Sequence, residues 1–433
     1  MAGWVRRGPL AAVAWMALGA LCAGGVAVAT ASGPSVIRAC AQKKTGLLRV
    51  ARTCNSRTER ALSWNVGGPS GAPGSPGATG PSGATGSSGP SGAPGSPGPS
   101  GPAGPTGPPP LPNIARVATL NWYGGAHSGG SYGFHYPYEI AFDGVHVWVT
   151  NDSGNSVTEM SATDGSWVRT LSGGSYGFSG PAGIAFDGTH LWIANANTST
   201  VTEINASDGS WVQTLSDASY TFHDPKGIAF DGTHLWITNA NGTTGGVTEI
   251  NASDGSWVRT VTNSTNSSYN FDTLEGIAYD GGHLWVTNYG GGTITEIDAS
   301  DGSFVRNVTI GPYSTTGPWG IAFDGTHIWV ANTGADSLAE VDPPTGNLLQ
   351  TFSGGSFGFN QPTEIAFDGT RLWVTNWGGN SVTEVNAGDG AFVRTWSGAA
   401  FGITTPWGIA FDGRHMWIAD TNSNAVTDVP VGG

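Results

Sequence analysis

Seven times between Ile140 and Gly413 the chain writes Ile-Ala-Phe-Asp-Gly, with Tyr279 replacing Phe in the fourth copy. The Asp of each copy is Asp143, Asp187, Asp231, Asp280, Asp324, Asp368 and Asp412, spaced 44 residues apart except for one interval of 49. A period of about 40–45 residues made of short apolar bursts is that of a propeller blade, a unit that buries its faces only against its neighbours.

Each unit divides into four apolar bursts separated by turn signals. In the second, Gly183-Ile184-Ala185-Phe186 runs into Asp187-Gly188, a pair that tolerates the positive φ of a tight hairpin. His190-Leu191-Trp192-Ile193-Ala194 follows, then Val201-Thr202-Glu203-Ile204, a second Asp-Gly turn at 208–209, and Trp211-Val212-Gln213-Thr214-Leu215. Leu191 and Trp192 are adjacent and both apolar, so the second strand is covered on both faces, as it is between two blades. The seventh unit stops after Val426-Thr427-Asp428-Val429 without a fourth strand. Residues 116–120, Arg-Val-Ala-Thr-Leu, align with 167–171 and are expected to take that place, leaving no open sheet edge to protect. The fold expected is all-β, a seven-bladed β-propeller of four-stranded blades closed by an N-terminal strand.

Leu-Trp-Val-Thr-Asn at 284–288, Val-Thr-Glu-Ile-Asn at 201–205 and the Asp-Gly turn after it carry a resemblance to the secreted propellers of the NHL and YVTN-repeat group, over residues 114–430. The resemblance implies the fold. It leaves function to the site, because that group includes binding proteins, scaffolds and a few enzymes.

The residues before the repeats differ in kind. Arg6 and Arg7 precede an apolar stretch from Leu10 to Ala29 and then Ala29-Thr30-Ala31, the pattern of an export signal cleaved after Ala31. The stretch is also long enough to span a bilayer, so an uncleaved anchor is the alternative. Cleavage would remove Cys22 and leave Cys40 and Cys54, an even count expected to form one disulfide in an oxidising compartment; two free thiols are the alternative.

From Gly68 to Gly107 every third residue is glycine, fourteen triplets filled with Pro, Ala, Ser and Thr. Three polyproline-type chains wind together only with glycine at each third place, so the run reads as a collagen-like stalk, a rod on the order of 130 Å if wound. It would join three propellers as a homotrimer, with a monomeric semi-rigid linker as the alternative. Val36-Ile37-Arg38-Ala39-Cys40, Lys44-Thr45-Gly46-Leu47-Leu48-Arg49-Val50, Cys54 and Ala61-Leu62-Ser63-Trp64-Asn65, running into these triplets, look like the head of secreted collagen-like proteins of actinobacteria. That likeness implies a secreted or cell-surface protein and no activity for the head. The expected domains are an export or anchor segment at 1–31, a small basic head at 32–67, the stalk at 68–110 and the propeller at 111–433.

Charge narrows the partners. Residues 38–60 hold seven basic side chains against Glu59 alone, but from Leu111 onward eight basic residues face 30 acidic ones. A net charge of −22 there repels nucleic acid and anionic lipid. Most of those acids recur in every unit, as do six histidines (His146, His190, His234, His283, His327, His415), replaced by Arg371 in the sixth unit, and seven strand tryptophans. Scaffold needs are equal in every blade, so these are structural. Asn151, Asn195, Asn239, Asn288, Asn332 and Asn376, with Asp420 in the last unit, are expected to bond their own loops as Asx turns.

Departures from the repeat are the candidate site. Just before each Ile the units read Tyr138-Glu139, Ala182-Gly183, Lys226-Gly227, Glu275-Gly276, Trp319-Gly320, Thr363-Glu364 and Trp407-Gly408. If the first strand starts at the channel mouth, Tyr138, Glu139, Lys226, Glu275, Trp319, Glu364 and Trp407 form one ring suited to a glycan, a peptide or protein, or a small polar ligand. The expected function is a multivalent extracellular binding, adhesion or scaffold module. The alternative is a metal-assisted propeller enzyme of lyase or lactonase type, in which Glu139, Glu275 and Glu364 would cluster with His135 and His223. No cofactor is called for, although Ca²⁺ or Mg²⁺ at the Asp-rich turns is open; Asp298 to Gly302 reads first as a hairpin.

Overall fold

In a computed structural model of the chain, the described residues are the backbone of 36–42, 48–50 and 59–65, and 125–310, 317–397 and 401–431 in full. They belong to two units that divide between Asn121 and Trp122. In the first, Val36–Gln42 lies between Leu48–Val50 and Glu59–Asn65 in an antiparallel sheet. The Cys40 to Cys54 pairing, the export segment and the Gly-X-Y run lie outside the described residues.

The second unit is a seven-bladed propeller of four-stranded antiparallel sheets. Blade 1 comprises Pro137–Phe142, His146–Asn151, Ser156–Ser161 and Trp167–Ser172, in spatial order. Blades 2 to 7 begin with Pro181–Phe186, Pro225–Phe230, Leu274–Tyr279, Pro318–Phe323, Pro362–Phe367 and Pro406–Phe411. Neighbouring first strands touch all the way round, blade 7 against blade 1 included, so every first strand borders the central channel.

In blade 7 the sheet ends with Ala126–Ser128, which pairs with Ala425–Pro430. Residues 116–120, expected in that place, lie outside the described residues, and a later segment holds the position. The reason is a longer repeat: Ser-Gly-Gly-Ser-Tyr-Gly-Phe at 128–134 recurs at 172–178. Ser128 therefore pairs with Ala425 as Ser172 pairs with Ser156.

The Asp of the repeated phrase does more than shape a turn. Asp143 Oδ1 accepts the backbone N–H groups of Val145 and His146 at 2.8 and 2.6 Å, and Oδ2 accepts the indole N–H of Trp148 at 2.7 Å. The same carboxylate-to-indole bond, at 2.7–2.8 Å, recurs in the other six blades. All seven of these tryptophans are buried. An indole N–H without an acceptor would be costly there, and the Asp lets a large apolar ring enter the gap between blades. Trp236 of blade 3, for example, packs with Phe271, Leu274 and Leu284 of blade 4.

The repeated histidine completes this arrangement. His146 Nδ1 lies 3.4 Å from Asp143 and 3.3 Å from Glu159, whose other oxygen meets Arg169 Nε at 2.7 Å. In blade 6 Arg371 replaces the histidine and reaches Glu384 at 3.0 Å. Asp298 is likewise a turn residue, its Oδ1 accepting from Ser300 N–H at 2.8 Å.

The repeated Asn residues behave differently from the expected Asx turns. Asn151, Asn195, Asn239 and Asn376 donate across the sheet to the third-strand hydroxyls of Thr158, Thr202, Thr248 and Thr383 at 2.9–3.0 Å. The Oδ1 atoms of the last three accept backbone N–H groups of the loop before the first strand and not of their own loop, as Asn239 does from His223 at 3.0 Å. In blade 7 Asp420 takes the position, accepting from Thr427 Oγ1 at 2.6 Å and Thr404 N–H at 2.9 Å, and burial pushes its carboxyl up to about 7 against those hydrogen bonds.

Two outcomes follow. Asp231→Ala orphans the buried indole N–H of Trp236 together with two backbone donors, and should lower unfolding free energy by at least about 1–3 kcal/mol in denaturant titration. For Asp420 the folded chain holds a proton that the unfolded chain has released, so stability is lost as pH rises from about 4 to about 7. Asp420→Asn, the residue of the other blades, should stabilise the protein at about pH 8 by up to about 4 kcal/mol, the advantage vanishing near pH 4.

Candidate functional site

The second and third residues of each first strand sit at one end of the channel, and here the blades stop being alike. Between them lies a cavity of about 130 Å³, lined by Tyr138, Glu139, Lys226, Glu275, Trp319 and Glu364, with Gly183, Gly227, Gly276 and the Ile side chains of the repeat beneath. Six of the seven residues expected in the ring are thus brought together. The seventh, Trp407, is not in the wall: its ring lies against Tyr138 at 5.1 Å and edge-on to Trp319 at 5.3 Å, and it backs both. His135 and His223 are exposed and do not line the cavity.

Two further aromatics belong to the cluster. Tyr289 packs edge-on against Trp319 at 5.3 Å and Trp377 against Trp407 at 6.0 Å. Both follow the repeated Asn, where other units have Asp152, Ala196, Ala240, Thr333 and Thr421. Their signal is the same kind of departure from the repeat, one strand later.

Burial raises the carboxyls of all three glutamates at the cavity. Glu275 is 7 % exposed, and burial raises its carboxyl to about 8 although Lys226 pulls it down. Burial also raises Glu139 to about 8, against a hydrogen bond from Ile140 N–H. Glu364 is held well above the usual carboxylate range by burial and by the charges of Glu139 and Glu275. The one lysine at the site, Lys226, is engaged by Asp224 at 2.9 Å.

Backbone spacing explains which blades carry a side chain at the third position. In blades 1, 3, 4 and 6 a second-strand hydroxyl (Thr150, Thr238, Thr287, Thr375) donates to a backbone carbonyl of the next blade at 2.7–2.9 Å. Blades 2, 5 and 7 have Ala194, Ala331 and Ala419 instead. A Cβ added at Gly227 or Gly276 would come within 2.7 or 2.6 Å of the next blade's carbonyl oxygen, and closer still at Gly183, Gly320 and Gly408. Glu139 and Glu364 both fall in hydroxyl-bearing blades, where the blades stand further apart.

No family model matches the sequence, and none of the curated proteins matches it. Solved structures do match in shape. A catalytically inactive virginiamycin B lyase from Staphylococcus aureus with quinupristin is 20 % identical, covering 71 % of this chain and 99 % of that one at a TM-score of 0.58. Hydrazine synthase of Kuenenia stuttgartiensis is 17 % identical over 71 % of this chain and 98 % of that one, with a TM-score of 0.58. The Cps50 (Swd1) β-propeller domain of Myceliophteria thermophila is 13 % identical over 71 % and 99 %, with a TM-score of 0.55. Proteins so different in name share the propeller with this chain, and the likeness is one of fold alone.

The raised Glu275 carboxyl makes stability pH-dependent in a direction opposite to that of a salt-bridged acid. Its proton is retained on folding, so stability falls as pH climbs from about 4.5 to about 8. Glu275→Gln should therefore raise stability by on the order of 2–4 kcal/mol at about pH 9 and change it little near pH 4, read from melting curves across that range.

Proposed function

We propose that the chain is an exported binding module in which a propeller takes a ligand group at its channel mouth and a collagen-like stalk makes that binding multivalent. The observation that carries the reading is the coincidence of place: the residues that escape the repeat are those that wall the cavity. A volume near 130 Å³ approaches that of an engineered cavity of about 150 Å³ that binds benzene, so it suits one side-chain-sized or sugar-sized group of a larger glycan, peptide or protein. A homotrimer would add avidity without new contacts. Adhesion at a cell surface and release into the medium both agree with this design.

A second reading has one specific observation behind it. Carboxyls held protonated near neutral pH beside a channel are suited to act as general acids, as a propeller lyase or lactonase would require. Among the described residues no three His, Cys, Asp or Glu side chains are placed to hold a metal ion.

Glycan and peptide arrays probed with the full chain should yield a ligand whose affinity drops at least about tenfold in Trp319→Ala while the melting temperature moves by no more than a few degrees. Unchanged binding would remove the channel mouth from the reading. Turnover of a lactone or cyclic depsipeptide, lost in Glu275→Gln and sensitive to chelator, would establish the enzyme in its place.

A further inference from the structure

We infer that the group taken into the channel mouth is an organic cation, an ammonium head seated between the Tyr138 and Trp319 rings and the carboxylates of Glu139, Glu275 and Glu364. The inference rests on reading the channel mouth as a ligand site and specifies the ligand's chemistry.

Charge at the cavity is out of balance. Three carboxyl groups line one small cavity, and Lys226, the basic residue lining it, is already held by Asp224 at 2.9 Å. Glu275 is nine-tenths buried, and among the described residues its carboxylate has the charge of Lys226 near it but no hydrogen-bond donor, a costly state for a buried acid. The scaffold does not ask for these acids, since five of the seven units have Gly where Glu139 and Glu364 stand, and Glu275 occupies a position that is Ala, Thr, Lys or an aromatic elsewhere. A cation supplied from outside would meet the missing partner.

Tyr138 and Trp319 present aromatic faces and edges to the same space, backed by Trp407 at 5.1 and 5.3 Å. Aromatic rings with carboxylates favour a soft, poorly hydrated ammonium over a small metal ion, which needs converging oxygens. The volume suits a head group the size of trimethylammonium.

The charged and titratable groups around the site are Glu139, Glu275, Glu364, Tyr138, Lys226, Asp224 and Asp152. In the empty site Glu139 and Glu275 hold protons up to about pH 8, and a cation favours their charged forms. Binding should thus release a proton. Affinity for a permanently charged ligand rises with pH up to the value at which the empty site ionises, then levels.

The test is calorimetric titration of the full chain with choline and with its neutral isostere 3,3-dimethylbutan-1-ol, between about pH 6 and about pH 9. Choline should bind one per chain, at least about tenfold more tightly than the isostere, and several-fold more tightly at the alkaline end. Glu275→Gln should weaken choline about tenfold while keeping the fold, as judged by its melting curve. A trimethyllysine peptide that binds more tightly than choline identifies a protein side chain as the source; equal or weaker binding identifies a free amine, and either supports the inference. Equal affinity for choline and isostere, a flat pH profile, or no choline binding up to about 100 mM overturns it. If in that event an array ligand still depends on Trp319, the cation fails and the channel-mouth reading stands; if no ligand depends on Trp319, both fail.

Discussion

Everything in the propeller hangs on one bond repeated seven times, from a buried indole N–H to the Asp of the first hairpin. Without it a tryptophan could not be fully buried between blades except with a stranded donor. With it, each blade delivers its largest apolar side chain to the seam with the next blade, as Trp236 does against Phe271 and Leu274. The same carboxylate fixes the turn through two backbone N–H groups. Local turn chemistry and long-range packing thus depend on one side chain, which is why the phrase changes so little around the ring.

This coupling explains how much of the molecule could be read from its residues. Blade number, strand number and the structural part played by the repeated His and Trp residues all follow from periodicity, because each blade meets the same demands. The final register did not follow from the apolar pattern of 116–120, which matches a fourth strand in composition; the longer Ser-Gly-Gly-Ser-Tyr-Gly-Phe repeat outweighed it. The Asn residues depart from the expected Asx turns for a similar reason: an Asx turn is a local pattern, whereas Thr158 and its equivalents lie across the sheet. Trp407 carries the right signal for the site and stands one layer behind it, since periodicity fixes which blade a residue occupies and not whether another ring stands in front.

The acids divide into two populations that composition cannot separate. Glu159, like its counterparts, lies beside a histidine and an arginine, in an arrangement that recurs with the blades. Glu139, Glu275 and Glu364 share a cavity whose lysine is engaged elsewhere, and burial holds their protons on. A net charge of −22 across the propeller therefore says little about the channel itself, where the ionisation state is set by desolvation and not by the mean field.

The alternation of Thr and Ala on the second strand carries a consequence for how such a ring can diversify. Where the hydroxyl stands between blades, the next blade's carbonyl is held further off; where Ala stands, a Cβ at the third position would press on it harder. Blades 1 and 6 carry Glu139 and Glu364 at that position, while in blades 3 and 4 a Cβ on Gly227 or Gly276 would still lie 2.7 or 2.6 Å from a backbone oxygen. The third position of the strand therefore changes only if a seam between blades moves with it. New specificities arise more readily at the second position, where the seven units already carry six different residues.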